Sequence, residues 1–174
     1  MAEFENNLWA PWRMAYIRQL AGDDPHGCFL CHYRDHPSDD ELNGVLWRGA
    51  DVLVMLNRFP YAPGHLLIAP TAHEADMAAL PEATLTRMML CIRDAQRVLR
   101  ESASAQGFNV GMNLGRCAGA GLPDHLHWHI VPRWGGDTNF MTVVGDARVM
   151  PESLEATAAA FRSAAGRLGL LTGR

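Results

Sequence analysis

The sequence predicts an α+β domain in which an antiparallel sheet of about five strands packs with one long helix and a second, C-terminal helix. Short stretches of alternating apolar and polar residues, joined by short links, indicate antiparallel strands. Two longer stretches repeat apolar residues with the helical period. No internal repeat or change of composition divides the 174 residues, so we predict a single domain over residues 1–174.

The N-terminal part of the chain lacks a clear period. We predict an irregular arm at residues 1–44 and a core at residues 45–170. Trp9 and Trp12 lie in an aromatic-rich stretch of the arm, and tryptophans near a terminus usually pack on the domain or on a second subunit.

Five segments of the core have strand character. We predict strands at residues 45–48, 51–56, 65–69 and 108–114, and a last one that starts at residue 125. Gly49 and Ala50 suit a hairpin between the first two strands. The segment 108–114 alternates, so that Asn109 and Asn113 share one face with Gly111.

Two segments have helical character. Residues 81–106 carry apolar side chains at helical spacing, with Pro81 in the first turn and Gly107 just past the end. Residues 151–168 form the predicted C-terminal helix, whose inward face includes Ala158 and Phe161.

Three histidines alternate at the start of the last predicted strand. In an extended chain His125, His127 and His129 leave one face, because the side-chain period is two. The intervening apolar residues, Leu126, Trp128 and Ile130, leave the other face and can be buried. Imidazoles titrate near neutrality and serve as nucleophiles, proton donors or metal ligands. Chance placement of the chain's 8 histidines is the alternative.

Composition excludes several classes of function. A net charge of −4 provides no global field for nucleic acid, so a polyanionic substrate needs a local basic pocket. All 15 basic residues are arginines, which excludes a P-loop lysine and a Schiff-base lysine. The chain has no long apolar run and no basic start followed by an apolar segment, so we expect a cytoplasmic protein without membrane contact.

Cys28 and Cys31 form a C-x-x-C pair. A redox pair, half of a zinc site and coincidence are all compatible with this spacing. No βαβ pattern surrounds the pair, which counts against a thioredoxin-like role.

Several segments together resemble the histidine-triad (HIT) superfamily of nucleotidyl hydrolases and transferases. The resemblance rests on the histidine triad, on segment 56–65 with its Pro-Gly-His end, and on Asn113-Leu114-Gly115. Segments 107–115 and 132–140 are similar to the bacterial diadenosine tetraphosphate (Ap4A) phosphorylases of that superfamily. The resemblance extends from about residue 8 to residue 167 and implies a HIT-like fold.

The resemblance implies a mechanism and a set of roles. His127 would attack the α-phosphorus of a dinucleoside polyphosphate and form a nucleotidyl-histidine, which water or inorganic phosphate then resolves. His129 would hydrogen-bond phosphate oxygens and assist the leaving group, and His65 would orient the row. Asn57 would bind the ribose. Asn113 and backbone amides of the glycine-rich loop would hold phosphate oxygens.

The resemblance also implies a zinc site. In zinc-containing members, a C-x-x-C pair is completed by a histidine after the Pro-Gly-His strand and by the first triad histidine. Here the four ligands would be Cys28, Cys31, His73 and His125. A site closed by four protein ligands would be structural.

One departure from the common pattern concerns the residues before the triad. Many members carry Gln followed by Ser or Thr, where this chain has Gly121 and Leu122. Backbone amides at Gly119 and Gly121, or the side chain of Arg116, must then contact the phosphates. Arg133 is either a solvated strand end or a bidentate ligand of the polyphosphate.

The sequence leaves three classes of function open. The first is an enzyme that acts on dinucleoside polyphosphates, as a phosphorylase, as a hydrolase of these compounds or as a hydrolase of nucleoside phosphoramidates. The second is a non-catalytic nucleotide sensor, although an intact His127 argues against it. The third is a metal-storage or metal-sensing protein that uses the 8 histidines. The triad lies on one strand face rather than in a flexible histidine-rich tract, which argues against this class. We also expect a homodimer, because Trp9, Trp12, Met88, Met89 and Ile92 offer apolar surface.

Overall fold

The computed structural model describes residues 27–137, 144 and 150–172. The predicted packing of Trp9 and Trp12 lies outside the described residues. The helices and strands are, in chain order, α1 (Phe29–Asp35), β1 (Val45–Arg48), β2 (Val52–Leu56), β3 (Leu66–Pro70), α2 (Glu82–Ala103), β4 (Gly107–Gly111), β5 (Trp128–Arg133) and α3 (Leu154–Leu168). Short 3-10 turns lie at Pro37–Asp39, Met77–Ala79 and Arg116–Ala118.

The strands form one five-stranded sheet in the order β1-β2-β3-β5-β4, and every neighbouring pair is antiparallel. The predicted hairpin between β1 and β2 is confirmed, with the Gly49 amide donating to the Val52 carbonyl. β5 lies between β3 and β4, which places the histidine segment near the middle of the sheet. The predicted α+β architecture is therefore confirmed.

The two faces of the sheet have different partners. The main core lies between one face and the helices α2 and α3, and includes Val54, Ile68, Ile130 and Phe161. A smaller cluster on the other face joins Leu53 and Leu67 to α1 through Leu30. Because α1 covers only part of that second face, the sheet there can carry polar side chains.

Several elements differ from the prediction in their presence or their boundaries. Helix α1 lies within the segment predicted as irregular, because its seven residues are too few to show a helical period. Helix α2 ends at Ala103 rather than at 106, with Ser104 in the left-handed region at φ 51°. Gly107 therefore begins β4 instead of stopping the helix, and β4 ends at Gly111 rather than at 114.

The outer surface of α2 also differs from expectation. Met88 and Ile92 are buried within the chain, so they cannot serve as the intersubunit surface proposed above. Met89 is 54% exposed and Leu90 is 44% exposed, and these two residues form the apolar part of the outer helix face. None of the helices in the described ranges has the length and apolar character needed to cross a bilayer.

A half-buried arginine fastens α1 to the sheet. Arg48, at the end of β1, donates from Nε to the Asp40 carboxylate at 2.7 Å and from Nη1 to the Arg34 carbonyl at 3.2 Å. Its Nη2 donates to the Tyr33 carbonyl. A cation at the carbonyl end of a helix is favourable, because the last carbonyls carry partial negative charge. This contact helps to place Cys28 and Cys31 on the sheet.

Candidate active site and metal centre

The histidine segment keeps its alternation even where it is not a hydrogen-bonded strand. β5 begins at Trp128, so His125 and His127 precede it and the prediction of a strand from residue 125 is wrong in its start. Leu126 nevertheless packs in the core with α2 and α3. All three histidines leave the opposite side, as their contacts below show. The backbone amide of Leu126 is held by the Glu74 carbonyl at 2.8 Å, which keeps this segment extended.

Four side chains meet where α1 approaches the start of the histidine segment. The ligand atoms of Cys28, Cys31, His73 and His125 all lie within 4.8 Å of one another. Cys28 Sγ is 3.3 Å and Cys31 Sγ is 3.6 Å from His125 Nδ1, and Cys31 Sγ is 3.1 Å from His73 Nδ1. Ligands at zinc bonding distance in a tetrahedron are separated by about 3.3–3.8 Å. The cluster therefore has the donor set and the spacing of a zinc site.

The backbone fixes which nitrogen of His125 faces this cluster. His125 Nε2 is 2.8 Å from the Pro70 carbonyl, which can only accept, so Nε2 carries the proton and Nδ1 is free to bind a cation. Burial lowers the pKa of His125 to about 4, which keeps the ring neutral at pH 7. Burial also raises the pKa of the Cys28 thiol to about 11. A bound cation would displace that thiol proton.

His127 lies next along the segment and has the opposite tautomer. Its Nδ1 is 3.0 Å from the carbonyl oxygen of His125, so Nδ1 carries the proton. In the neutral ring Nε2 then has an unshared electron pair. Burial lowers the pKa of His127, which favours this neutral form. The geometry thus supplies a nucleophilic nitrogen in a fixed orientation.

His65 and His129 form a hydrogen-bonded pair beside His127. His65 Nε2 is 3.0 Å from His129 Nδ1, and the rings of His127 and His129 have centroids 5.0 Å apart. His65 precedes β3, whose Leu67 is paired with His129 across the sheet, so the two imidazoles share one face. Tyr61 packs its ring on both, with centroid distances of 4.6 Å to His65 and 6.0 Å to His129.

The turn before His65 depends on a glycine. Gly64 has φ +74°, and a Cβ at this position would lie 3.1 Å from Leu99 Cδ2 and 3.4 Å from Pro132 Cγ. A residue with a side chain is strained in this conformation and would also crowd α2. The Pro-Gly-His signal therefore has a physical cause, because glycine allows the turn that brings His65 to His129.

Asn57 contacts His65 from the side away from His129. Its Nδ2 is 3.2 Å from His65 Nδ1, and its Oδ1 accepts from the Phe59 amide at 3.0 Å. The side chain of Asn57 is therefore engaged within the turn. Its predicted contact with a ribose remains a prediction.

The predicted sharing of one face by β4 and β5 is confirmed for Asn109 by their register, while Asn113 lies beyond the end of β4. Gly111 is opposite His129 and Asn109 is opposite Val131. At the far end of that face, Arg133 donates from Nη1 to Asn109 Oδ1 at 2.8 Å and from Nη2 to Asp137 Oδ1 at 2.9 Å. The guanidinium is therefore occupied by a carboxylate and an amide rather than directed to an open pocket.

The glycine-rich loop connects β4 to the histidine segment. Gly115 and Gly119 flank its 3-10 turn with φ values of 79° and 83°, which favour glycine. Asn113 donates from Nδ2 to the Gly119 carbonyl at 3.4 Å, closing the loop. Arg116, Gly119 and Gly121 are all exposed, so the loop presents backbone and one cation to solvent.

Two participants were missed by sequence reasoning. The Tyr61 amide donates to His65 Nδ1 at 3.1 Å, and the Pro70 carbonyl binds His125. Both act through backbone atoms, which leave no signature in residue identity. Only the proximity of Tyr61 to the Pro-Gly-His turn could have indicated the first.

Comparison with known proteins agrees with this geometry. Residues 43–136 match the HIT domain family. The chain is 38% identical to the AP-4-A phosphorylase of Mycobacterium tuberculosis (strain ATCC 25618 / H37Rv) over 154 residues, which are 86% of this chain and 79% of that protein. It is 32% identical to the asymmetrical bis(5'-nucleosyl)-tetraphosphatase of Schizosaccharomyces pombe over 93 residues, which are 53% of this chain and 50% of that protein.

A solved structure is similar over most of the chain. The crystal structure of a Zn-bound histidine triad family protein from Mycobacterium smegmatis matches with a TM-score of 0.67 and 28% identity, covering 82% of this chain and 95% of that one. The sheet order, the histidine segment and these matches lead to one conclusion: the chain belongs to the HIT domain family.

Proposed function

We propose that the protein is an Ap4A phosphorylase, which converts Ap4A and inorganic phosphate to ADP and ATP through a nucleotidyl-histidine on His127. The observation that carries this proposal is the 3.0 Å contact of His127 Nδ1 with the His125 carbonyl, which leaves Nε2 as the attacking atom. The identity of 38% with a protein named AP-4-A phosphorylase supports the choice of substrate and acceptor.

The proposed reaction has two displacements. In the first, the electron pair of His127 Nε2 forms a bond to the α-phosphorus, the bond to the bridging oxygen breaks, and ATP leaves with that oxygen. In the second, an oxygen of inorganic phosphate attacks the same phosphorus, the bond to His127 breaks, and ADP forms. His129 lies beside His127 and would hydrogen-bond the phosphate oxygens, while His65 would hold His129 in place.

Substrate binding would use the loop and the two asparagines. Asn113 and the backbone at Gly119 and Gly121 would hold phosphate oxygens, and Arg116 would contact the polyphosphate tail, since it is exposed beside them. Arg133 would have to leave Asp137 before it could bind the polyphosphate tail. We therefore assign Arg133 a smaller role in substrate binding than Arg116. Asn57 would bind the ribose and at the same time keep its contact with His65.

The decisive experiment identifies products with and without phosphate. Purified protein is mixed with Ap4A in a phosphate-free buffer and in one that contains isotopically labelled phosphate. We expect ATP and ADP only when phosphate is present, with the label in the terminal phosphate of ADP. Formation of AMP and ATP at the same rate in both buffers would instead establish a hydrolase, the second candidate, which the similarity to the tetraphosphatase favours. Binding of Ap4A without any product would establish a sensor.

We further propose that the four-residue cluster binds one structural zinc ion per chain. The support is the spacing of Cys28, Cys31, His73 and His125 and the Zn-bound protein of similar fold. A reducing compartment, such as the cytoplasm that we propose for this chain, keeps thiols available as ligands. Zinc would tie α1 to the histidine segment and would take no part in the reaction itself.

We also propose that the chain forms a homodimer. The support is apolar surface that is exposed in the described part of the chain. It consists of Met89 and Leu90 on α2 and Val110 on the edge strand β4. Light scattering at micromolar concentration tests this, with a mass near two chains expected. A mass near one chain would contradict the proposal.

A further inference from the structure

The turn before β3 holds His65 by two donors on the side away from His129. The Tyr61 amide nitrogen is 3.1 Å and Asn57 Nδ2 is 3.2 Å from His65 Nδ1. The orientation of the Asn57 amide is itself fixed, because its oxygen accepts from the Phe59 amide at 3.0 Å. Nδ1 of His65 therefore faces two N–H groups.

These contacts determine where the protons of the pair lie. A backbone amide can only donate, so His65 Nδ1 must carry an electron pair and its proton must be on Nε2. His65 Nε2 then donates to His129 Nδ1 across 3.0 Å. Since His129 Nδ1 accepts, neutral His129 carries its own proton on Nε2. A backbone amide thus sets the tautomer of a histidine two contacts away.

The same chain of contacts opposes a second proton on His129. Protonation at its Nδ1 would place that N–H against the N–H of His65 at the same 3.0 Å separation. While both donors face Nδ1, His65 cannot relieve the conflict by changing tautomer, because a proton on Nδ1 would then meet the Tyr61 amide and the Asn57 Nδ2 group. His129 is therefore held as a neutral hydrogen-bond donor rather than as an imidazolium acid.

We propose that Asn57 is a positioning residue which, with the Tyr61 amide, fixes His129 as a neutral Nε2–H donor and so restricts the enzyme to leaving groups that depart without a proton. This inference rests on the proposed function. A terminal phosphate has a pKa near ~6 and departs as an anion. An amine leaving group must gain a proton, which a neutral His129 does not provide. The site accordingly favours polyphosphate esters over nucleoside phosphoramidates.

The first test needs no variant and no turnover. Protein labelled with ¹⁵N at histidine is examined by NMR, which distinguishes the two neutral tautomers and the imidazolium by their nitrogen shifts. We expect His65 and His129 to be neutral with the proton on Nε2, and His127 to be neutral with the proton on Nδ1. A His129 that is imidazolium or carries its proton on Nδ1 at pH 7 overturns the inference, whatever the enzyme's activity.

The second test uses Asn57→Asp. The carboxylate can still accept from the Phe59 amide and a ribose hydroxyl, but it replaces one of the two donors at His65 Nδ1 with an anionic acceptor. A charge-assisted hydrogen bond to this acceptor outweighs the remaining Tyr61 amide and draws the proton to Nδ1. His65 Nε2 then becomes an acceptor, and the proton of His129 moves to Nδ1. We expect kcat for Ap4A to fall about 100-fold, the loss typical of one removed oxyanion donor, with KM changed little. The tautomer signals of His65 and His129 should change together.

Controls separate this role from ribose binding. Gln96→Glu makes the same amide-to-carboxylate change at a half-buried position of α2 and should leave kcat and the histidine signals unchanged. Wild-type protein should cleave adenosine 5'-phosphoramidate at least about 100-fold more slowly than Ap4A. This is the size of effect expected when one catalytic proton donor is missing. If Asn57→Asp raises KM alone and leaves the tautomers as they were, Asn57 binds only ribose and the inference is wrong. If wild-type protein turns over neither compound, the proposed function fails while the NMR result still decides the tautomers.

Discussion

His125 and His127 are joined by a 3.0 Å hydrogen bond from the ring of His127 to the backbone carbonyl of His125. The ring of His125 points instead to Cys28 and Cys31. His125 therefore belongs to the candidate metal site through its side chain and orients the candidate nucleophile His127 through its backbone. Changes at the cluster should consequently reach the reaction through His127.

Replacement of the candidate nucleophile is the first prediction. His127→Ala should abolish turnover while fold and nucleotide binding are largely retained, because the nitrogen that forms the covalent bond is lost. Removal of a nucleophile usually lowers kcat by several orders of magnitude. Single-turnover assays and equilibrium binding of Ap4A check this. A variant that keeps more than about a tenth of the wild-type rate would refute the assignment.

Metal content is the second prediction. Elemental analysis of purified protein should find one zinc per chain, and Cys28→Ser/Cys31→Ser should lose it. Because closed metal sites couple binding to folding, we expect Tm to fall by about 10 °C in the double variant or after chelation. Cys117→Ser is the matched control, since Cys117 is exposed and outside the cluster, and it should keep its zinc. Freshly purified wild-type protein without zinc would end this proposal.

The third prediction concerns the contact that fastens α1. Arg48→Ala removes a donor whose side chain is only 16% exposed and leaves the Asp40 carboxylate and two carbonyls without it. We expect the free energy of unfolding to fall by about 3 kcal/mol, as measured by urea denaturation. Arg93→Ala breaks the pair that the exposed Arg93 makes with Asp94 and should leave the free energy of unfolding nearly unchanged. If the two substitutions lowered the free energy of unfolding equally, the Arg48 contact would stabilise the fold no more than a surface ion pair does.

The fourth prediction concerns pH and the cysteine of α2. Burial raises the pKa of the Cys91 thiol from 9.0 to about 11. Its folded pKa is above its unfolded value, so the stabilising contribution is complete below pH 9 and is lost as pH rises towards 11. At pH 8 the thiolate fraction of Cys91 is about 100-fold below that of an ordinary thiol. Iodoacetamide should therefore modify exposed Cys117 at least 100-fold faster, and mass spectrometry that finds equal rates would contradict this.

The sheet could be predicted from sequence because its strands alternate and its links are short. The hairpin at Gly49, the pairing of β4 with β5 and the side of the sheet from which the triad leaves all follow from local pattern. Helix α1 was missed because one and a half to two turns carry too little periodicity to be recognised. The left-handed position at the end of α2 is taken by Ser104, at φ 51°, and not by the glycine that the pattern favours.

The grouping of the candidate site residues could be predicted from the sequence, whereas the positions of their protons could not. Alternation and resemblance indicated Cys28, Cys31, His73 and His125, which the fold brings together. The tautomers depend on the carbonyls of Pro70 and His125 and on the Tyr61 amide. Any residue would supply these carbonyls, and any residue except proline would supply the amide. The partner of Arg133 was also hidden, since Asp137 meets it only through the turn that follows β5.

The most direct test of the account is detection of the covalent intermediate. Wild-type protein is mixed with Ap4A in phosphate-free buffer, quenched at high pH to preserve a phosphorus–nitrogen bond, digested and analysed by mass spectrometry. We predict one adenylyl group on the nitrogen of His127, which disappears when phosphate is added before the quench and is absent from His127→Ala. An adenylyl group on His125 or His129, or product formation without any adenylylated peptide, would contradict the account.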